Sequence, residues 1–442
     1  MKKMKIGFIS LGCAKNLVDS EMILGILQQA GCEIINDPSE ADAIFINTCG
    51  FIESAKQETI DTINEMKLYN KKLIVTGCYA KRYKEKLKKE MPFIDRIITL
   101  QDYPKIHLIL NDVFSEAHMK FSPLRYEQRL LTRSEFSPYV KIGEGCNNNC
   151  TYCAIPLIRG RFHSKPFEDI IGEIKLLVKN GAKEINLISQ DTSRYGSDFD
   201  SNHESQLDRL LHDVSQIDGV EMVRALYLYP DEITDKMINE VKTNPKIANY
   251  FDVPIQHISD RILKRMNRRG KKAFIESLFK KIKKQIPDAI IRTTYIVGFP
   301  GETQEDFDAL YAFTEKFKID RLGVFAYSKE EDTPAFKMDD QIPDQIKQDR
   351  LDQIMRLQKR IARDNNKSQK GTIHKTLIEN YDAETKFYYG RSYAYAPDDI
   401  DGMIVFQSEE ALNIGDMVDV KISSFFGHDL IGDAMVGGQN VS

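Results

Sequence analysis

Short apolar runs rich in β-branched residues recur along the first 117 residues: KIGFIS, AIFINT and KLIVTG. Unbroken apolar stretches of this length suit strands buried on both faces of a parallel sheet. Between them, apolar positions fall at helical spacing over Asp19 to Ala30, with Gly31 placed as a C-cap, and over Ser54 to Met66. This alternation predicts a small doubly wound α/β domain over residues 1–117. Residues 118–131 show no period and read as a linker. From 132 to 370 the alternation resumes in six units, with strands YVKIGEG, EINLISQ, MVRALYL, FDVPIQ, IIRTTYIVGF and LGVFAYS. Helices such as Phe167 to Asn180 and Thr303 to Phe317 separate them, and a charged helix from Pro343 to Gln369 follows. Six βα units in series predict a parallel sheet curled into a partial (β/α)6 barrel. Over 371–442 the period becomes two: KTLIENYD, FYYGRSYAY, GMIVF, MVDVKISSFF and DLIGDAMV lie between Gly and Asp turns. Five short alternating strands predict a small closed β-barrel of the OB type. No internal repeat or low-complexity tract interrupts this order.

Composition narrows the function. The chain has 442 residues, 42% hydrophobic and 29% charged, with a net charge of −4. No global basic field points to nucleic acid, and no apolar run reaches the roughly 20 residues needed to span a bilayer. The opening MKKMK looks like a signal n-region, but a strand follows it with no small-residue cleavage site, so a cytoplasmic protein is expected. Seven cysteines are too few for a disulfide scaffold in a chain this long, and their clustering points to metal ligands or redox groups.

Three of them form EGCNNNCTYC, that is Cys146-x3-Cys150-x2-Cys153. A [4Fe–4S] cube offered three thiolates keeps one iron open to a small chelator. The α-amino and carboxylate groups of S-adenosylmethionine suit that position. The loop follows strand YVKIGEG, which puts it at the C-terminal mouth of the barrel, where such folds keep their active sites. Small polar residues around the cysteines, Asn147, Asn148, Asn149 and Thr151, are candidate donors to cluster sulfur. The competing readings are a structural zinc loop, for which a fourth nearby ligand is missing, and an iron–sulfur carrier, which would complete its ligand set.

Cys13, Cys49 and Cys78 each end one of the three N-terminal strands. Parallel strand ends share one edge, the edge where open α/β sheets bind ligands, so a second three-cysteine cluster with its own open iron is expected there. Cys32 begins a strand at the opposite edge and reads as a small buried hydrophobe. Gln190 and Asp191 end EINLISQ, and Gln256 and His257 end FDVPIQ, at the barrel mouth. In GFPGET, from Gly298 to Thr303, glycines would let the backbone approach a ligand; the segment lacks the GxGxxG spacing and the P-loop lysine. Asp260 to Lys284 carries eleven Lys or Arg against two acids and reads as a solvated helical face.

Together SLGCAKNLVDSE, NTCGFI, EGCNNNCTYCAIPLIRG, PIQHISDRILKRMNRRG and YIVGFPGET resemble the methylthiotransferase family of radical S-adenosylmethionine enzymes, along nearly the whole chain and with a terminal TRAM-type barrel. ISQDTSRYG, PIQHISD, DRLGVFAYSKEEDTPA and GRSYAYAPDDIDGMIV resemble most the branch that acts on an aspartate of small-subunit ribosomal protein number twelve; tRNA-modifying relatives differ there, with a serine-glycine pair in place of His257-Ile258. The resemblance implies two [4Fe–4S] clusters. The one on Cys146, Cys150 and Cys153 would cleave S-adenosylmethionine to a radical that takes hydrogen from the aspartate β-carbon. The other, on Cys13, Cys49 and Cys78, would supply or carry sulfur, which a further S-adenosylmethionine methylates. It also implies cofactor contacts at Gln190, Gln256, Gly298 and Glu302, an electron donor such as flavodoxin, and a monomer. The charge of the terminal barrel bears on the substrate independently. From 371 to 442 there are four Lys or Arg against twelve Asp or Glu, a net of −8. An RNA-gripping barrel should be basic, so a basic protein partner is expected and a tRNA substrate or an RNA-adaptor role is disfavoured. The PDDIDG turn, with Asp398, Asp399 and Asp401, is the expected docking point.

Overall fold

The computed structural model describes residues 3–117, 119–398 and 400–435. The N-terminal domain runs β1 (Lys5–Ser10), α1 (Ala14–Gln29), β2 (Glu33–Ile35), β3 (Ala43–Thr48) and α2 (Glu53–Lys67). It continues with β4 (Lys72–Thr76), α3 (Gly77–Arg82), α4 (Lys84–Glu90), β5 (Arg96–Ile98) and α5 (Ile106–Val113). Its five strands are parallel in the order β2-β1-β3-β4-β5, a doubly wound sheet. Ile6, Phe45 and Ile74 feed the core on one face and Ile44, Ile46 and Val75 the core on the other, which is why these strands read as unbroken apolar runs. Helix α1 starts five residues earlier than its apolar period suggested. Its first turns bury Lys15, Asn16, Asp19, Ser20 and Glu21. Asn16, Asp19 and Glu21 bond beyond this domain and Ser20 bonds to Ser10 and Asn47 within it, and such polar positions hide the helix from a hydrophobicity pattern.

The segment read as a linker is a strap. Its Arg129 is buried between Glu21 of α1 (2.6 Å) and Glu173 of the next domain (2.7 Å). A buried guanidinium with two carboxylates holds only if all partners stay, so the strap fastens the two domains together.

The central domain begins with β6 (Tyr139–Lys141), β7 (Gly143–Glu144), α6 (Ile155–Arg159), β8 (His163–Ser164) and α7 (Phe167–Lys179). It continues through β9 (Glu184–Ile188), α8 (Leu207–Ser215), β10 (Met222–Ala225), α9 (Asp235–Thr243), β11 (Tyr250–Asp252), α10 (Asp260–Arg265) and α11 (Lys272–Gln285). It ends with β12 (Ile290–Val297), α12 (Gln304–Phe317), β13 (Arg321–Ala326) and α13 (Asp344–Ser368). The expected six strands are present as two parallel three-stranded sheets, β10-β9-β6 and β11-β12-β13, bridged between Val223 and Ile247. YVKIGEG is not one strand: β7 turns away to pair with β8, carrying the chain into the cysteine loop.

The C-terminal domain is a closed barrel, β14-β15-β16-β18-β17, from β14 (Ile373–Asp382), β15 (Phe387–Arg391), β16 (Ile404–Gln407), β17 (Met417–Phe426) and β18 (Asp429–Ala434). Strand β15 stops short of the expected FYYGRSYAY because the chain after Arg391 enters the central domain. Arg391 pairs with buried Glu184 (2.7 Å), Arg224 donates to the Tyr393 carbonyl (2.8 Å), and Ala396 packs with Tyr139, Met222 and Tyr250. The acidic turn is therefore not a free docking point. Asp401 is buried, accepting from the Tyr250 hydroxyl (2.5 Å) and facing Arg292 (3.6 Å), while Asp398 accepts from Tyr139 (2.7 Å) and pairs with Arg133. Asp399 and Val436, the end of DLIGDAMV, lie outside the described residues. Outward acids remain at Glu384, Glu409, Glu410, Asp416, Asp419 and Asp433. Among the described residues no helix is long and apolar enough to cross a membrane.

Glu184 carries the charge of this interface, between Arg391 (2.7 Å) and Arg224 (2.9 Å). Burial raises its carboxyl, but the two guanidiniums outweigh it and bring it down to about 2. A lowered carboxyl stabilises the fold fully above its ordinary 4.5, and that contribution is lost as pH falls through about 2. Glu184→Ala leaves buried Arg224 without a carboxylate and Arg391 with Glu379 alone, and is expected to cost about 3–5 kcal/mol, read as a lower denaturant midpoint at neutral pH. The gap from the native chain should shrink at acid pH, where the native carboxyl also protonates.

Candidate functional site

Three strand ends meet at one edge of the N-terminal sheet. Cys13 caps the start of α1, where the helix dipole favours a thiolate. Gly12 takes φ +91°, and a Cβ there would crowd the Cys49 side chain at 2.9 Å. Gly77 bridges to Thr48, bringing Cys78 beside Cys49. Asn16 ties the edge together, donating to the Leu11 carbonyl (2.6 Å) and the Thr48 carbonyl (3.3 Å) and accepting Asn47 at its own carbonyl (2.8 Å). Burial pushes Cys78 up to about 12, against the pull of Arg159 and helped by Cys13 and Cys49, so the three thiols are near enough to feel one another's charge. Cys13 is open to water yet ringed by protein. That crowding alone would raise its thiol, but Lys15 and Arg159 prevail and bring it below the ordinary range. Cys32 sits apart in the core.

The second set lies on the loop between β7 and α6. Cys146 donates its N–H to the Gly160 carbonyl (3.1 Å), and Thr151 is pinned to Met266 and Arg265 carbonyls (3.0 and 2.8 Å). Asn148 donates to Cys146 Sγ (3.5 Å) and to Asp191 (2.6 Å), and the N–H of Ile155 points at Cys153 Sγ (3.5 Å). Asn147 instead accepts from the Phe162 N–H (3.1 Å), and Thr151 spends its hydroxyl on Arg265, so of the four expected donors Asn148 alone reaches sulfur. Cys150 lies 3.8 Å from the Tyr229 hydroxyl and 3.9 Å from the Arg268 guanidinium, which stacks 4.1 Å over the Tyr229 ring. Burial raises Cys146 to about 11, and also raises Cys153.

Arg159 joins the two sets. It is buried, donates to Cys78 Sγ (3.3 Å) and Asn16 Oδ1 (3.2 Å), and pairs with Asp19 (2.8 Å) and Glu144 (2.9 Å). Lys141 pairs with the same two acids, and Glu144 accepts from Gln190 (2.7 Å). Cys78 packs on Ala154 and Ile158, in the segment that follows Cys153. Of these bridging residues Gln190 alone was singled out from the sequence; Arg159, Lys141, Asp19 and Glu144 are ordinary polar residues until the two domains meet.

Among the described residues no three His, Cys, Asp or Glu side chains close on a single ion. A four-iron cube holds its thiolates farther apart than one ion does, and the donors fit one: three unpaired thiols per set, polar N–H groups aimed at sulfur, and a cation beside each set.

Three segments match known families: residues 5–99 the uncharacterized protein family UPF0004, 140–314 the radical SAM superfamily and 371–435 the TRAM domain. The chain is 45% identical to ribosomal protein uS12 methylthiotransferase RimO of Acetivibrio thermocellus, covering 98% of this chain and 99% of that one. It is 47% identical to the protein of that name from Alkaliphilus oremlandii, over 99% and 100%, and 48% identical to that of Clostridium botulinum, over 98% of each. The chain belongs to the RimO methylthiotransferase family. The fold is shared with the radical S-adenosylmethionine methyltransferase TsrM of Kitasatospora setae, at a TM-score of 0.54 and 12% identity, over 76% of this chain and 74% of that one.

Within this RimO-family fold the remaining candidates divide. Gln190 reaches the mouth: its Nε2 is taken by Glu144, and its Oε1 is buried without a partner among the described residues. Gln256 takes φ +68° and bonds through its backbone to Thr294 and Ile296, leaving its side chain at the end of the strand. The Gly298 to Glu302 turn serves its own fold. A Cβ at Gly298 would run into Lys347 of α13, so the close approach this glycine permits is that of a helix. Glu302 turns inward to the Gly298 and Phe299 N–H groups (2.5 and 3.1 Å) and to Arg350 (3.0 Å); burial, opposed by Arg350, lifts its carboxyl to about 7. His257 is fully buried, 3.9 Å from Glu302, and burial lowers it to about 3, so it stays neutral. The basic run is not simply a solvated face: Arg268 is half-buried against Cys150. A groove of about 1290 Å³ between α13, β13 and the terminal barrel lies near the first residues of β12 and β13, away from the cysteines.

Arg159→Met leaves Asp19 and Glu144 with Lys141 as their remaining cation. It strips both acids of a bonded partner and is expected to cost about 3–5 kcal/mol of stability in denaturant unfolding. Arg159→Lys should recover part of it, because an ammonium restores charge but not the planar fork.

Proposed function

We propose that this chain adds a methylthio group to the β-carbon of an aspartate in small-subunit ribosomal protein uS12, using S-adenosylmethionine and a [4Fe–4S] cluster on each of its two cysteine sets. The observation that carries the reading is the meeting of two separate three-thiol sets across one domain seam, bridged by Arg159. When bound, the cluster on Cys146, Cys150 and Cys153 supplies the electron that splits S-adenosylmethionine, and the cluster on Cys13, Cys49 and Cys78 supplies or carries the sulfur.

The chain's own residues prepare that chemistry. Asn148 reaches Cys146, and Tyr229 and Arg268 lie beside Cys150, so polar donors and a positive charge stand against the thiols of the Cys146 loop. The unpartnered Gln190 Oε1 is an acceptor suited to the α-ammonium of S-adenosylmethionine. Arg159 and the start of helix α1 place positive charge beside Cys78 and Cys13. Ala14, Leu17 and Val18 of α1 pack with Tyr139, Ile188 and Leu226, keeping bulk water from the space between the sets. The outward acids of the terminal barrel suit a basic protein partner. Unpaired thiols suit a reducing, cytoplasmic setting.

Anaerobically reconstituted protein should hold about eight irons per chain, as two four-iron cubes. A Cys146→Ala, Cys150→Ala, Cys153→Ala variant should keep about half, and Cys32→Ala should change nothing. Loss of all iron from the triple variant would deny the N-terminal set an independent cluster. The Cys13→Ala, Cys49→Ala, Cys78→Ala variant should still cleave S-adenosylmethionine under a strong reductant, yet leave uS12 unmodified. Intact masses of ribosomal proteins from cells with and without the gene test the substrate: uS12 should carry a methylthio group in the first and lack it in the second. A difference in tRNA instead would move the assignment to tRNA.

A further inference from the structure

Buried cations along the seam between the N-terminal and central domains come with acids. Arg129 has Glu21 and Glu173, Arg159 and Lys141 share Asp19 and Glu144, and Lys56 and Arg82 share Glu330. Lys15 breaks the pattern. It is 8% exposed, and among the described residues no Asp or Glu oxygen lies within 4.0 Å of its ammonium. Its one close partner is the face of Tyr227, 3.1 Å below Nζ. A quadrupole attracts a cation but brings no counter-charge, and a buried ammonium without one remains costly. The observed surroundings therefore leave room for an anion.

Its place says which anion. Lys15 is two residues from Cys13, the most open thiol of its set, and its charge reaches that thiol. Tyr227 lies just past the C-terminal end of β10, at the barrel mouth that holds Cys146, Cys150 and Cys153. The ring is held firmly: Tyr227 takes φ +65°, rare for a bulky residue, with its N–H on Asp252 (2.9 Å) and its carbonyl accepting Thr192 (3.1 Å). The ammonium thus joins the turn that carries Cys13 to a ring at the end of β10, and a target carbon has to be reached from both cysteine sets. In an aspartate the carboxylate is bonded directly to the β-carbon, so fixing the carboxylate fixes the carbon.

We propose that Lys15, steadied on the face of Tyr227, is the seat for the side-chain carboxylate of the substrate aspartate, and so selects an acidic residue over its amide. The proposal rests on the reading above that an aspartate of uS12 is modified. The test uses reconstituted holoenzyme and two purified forms of uS12, one with the target aspartate and one with asparagine in its place, with dissociation constants measured anaerobically. A charge-assisted bond to a buried ammonium predicts that the native enzyme prefers the aspartate form by about ten- to a hundred-fold. In Lys15→Met that ratio should collapse toward one, and Lys15→Arg should retain most of it; iron content checks that each variant still assembles. Lys15→Met with an undiminished preference would overturn the site alone. Should that variant fail to assemble, the native enzyme decides by itself, because equal binding of the two forms overturns the seat. A native enzyme that leaves uS12 unmodified would overturn the functional reading, and the seat with it.

Discussion

A single guanidinium, that of Arg159, must satisfy sulfur and acid at once, and the arrangement of the domains follows from that demand. It lies in the seam, bonded to Cys78 and Asn16 on one side and to Glu144 on the other, with Asp19 completing the ring. Such a network is favourable only when every member is present. It therefore specifies one relative placement of the N-terminal sheet and the central barrel, the placement that puts two thiol sets at one interface. Arg129 repeats the device at the strap, and Glu330 repeats it beside Gly50, where Arg82 and Lys56 converge.

The terminal barrel is joined to the rest by the same means at the opposite end of the strands. Arg391 and Arg224 share Glu184, and Asp401 meets Tyr250 and Arg292. The acids that counted toward a negative docking surface are in part internal counter-ions. A charge sum over a sequence counts both kinds alike, whereas only the outward ones contribute to a field that a partner can sense.

Turns at strand ends show a second constraint. Gly12 and Gly77 are glycines because the cysteine edge is crowded, whereas Gly298 is a glycine because α13 crosses behind it. Glycine permits close approach in each case, but the approaching group is the Cys49 side chain at Gly12, Asn47 and the Thr48 backbone at Gly77, and a lysine of the fold at Gly298. Glu302, beyond the third, supports its own turn through the Gly298 and Phe299 N–H groups.

The sequence by itself determined whatever depends on local order. Apolar runs marked the parallel strands, the change of period to two marked the barrel, and the spacing Cys146-x3-Cys150-x2-Cys153 marked a loop of neighbouring thiols, because three cysteines within eight residues need no distant partner to be recognised. Strand ends even placed Cys13, Cys49 and Cys78 together, since parallel strands share an edge. Only the tertiary structure decided what depends on surfaces meeting. The early start of α1, the strap at Arg129, the burial of Asp401 and the bridge through Arg159 all involve polar residues with partners in another domain, and the turning inward of Glu302 depends on Arg350, far along the chain on α13. A polar side chain carries no periodic signal for such a partner. Its role is set by which charge it faces once water has been removed, and the sequence does not state that distance.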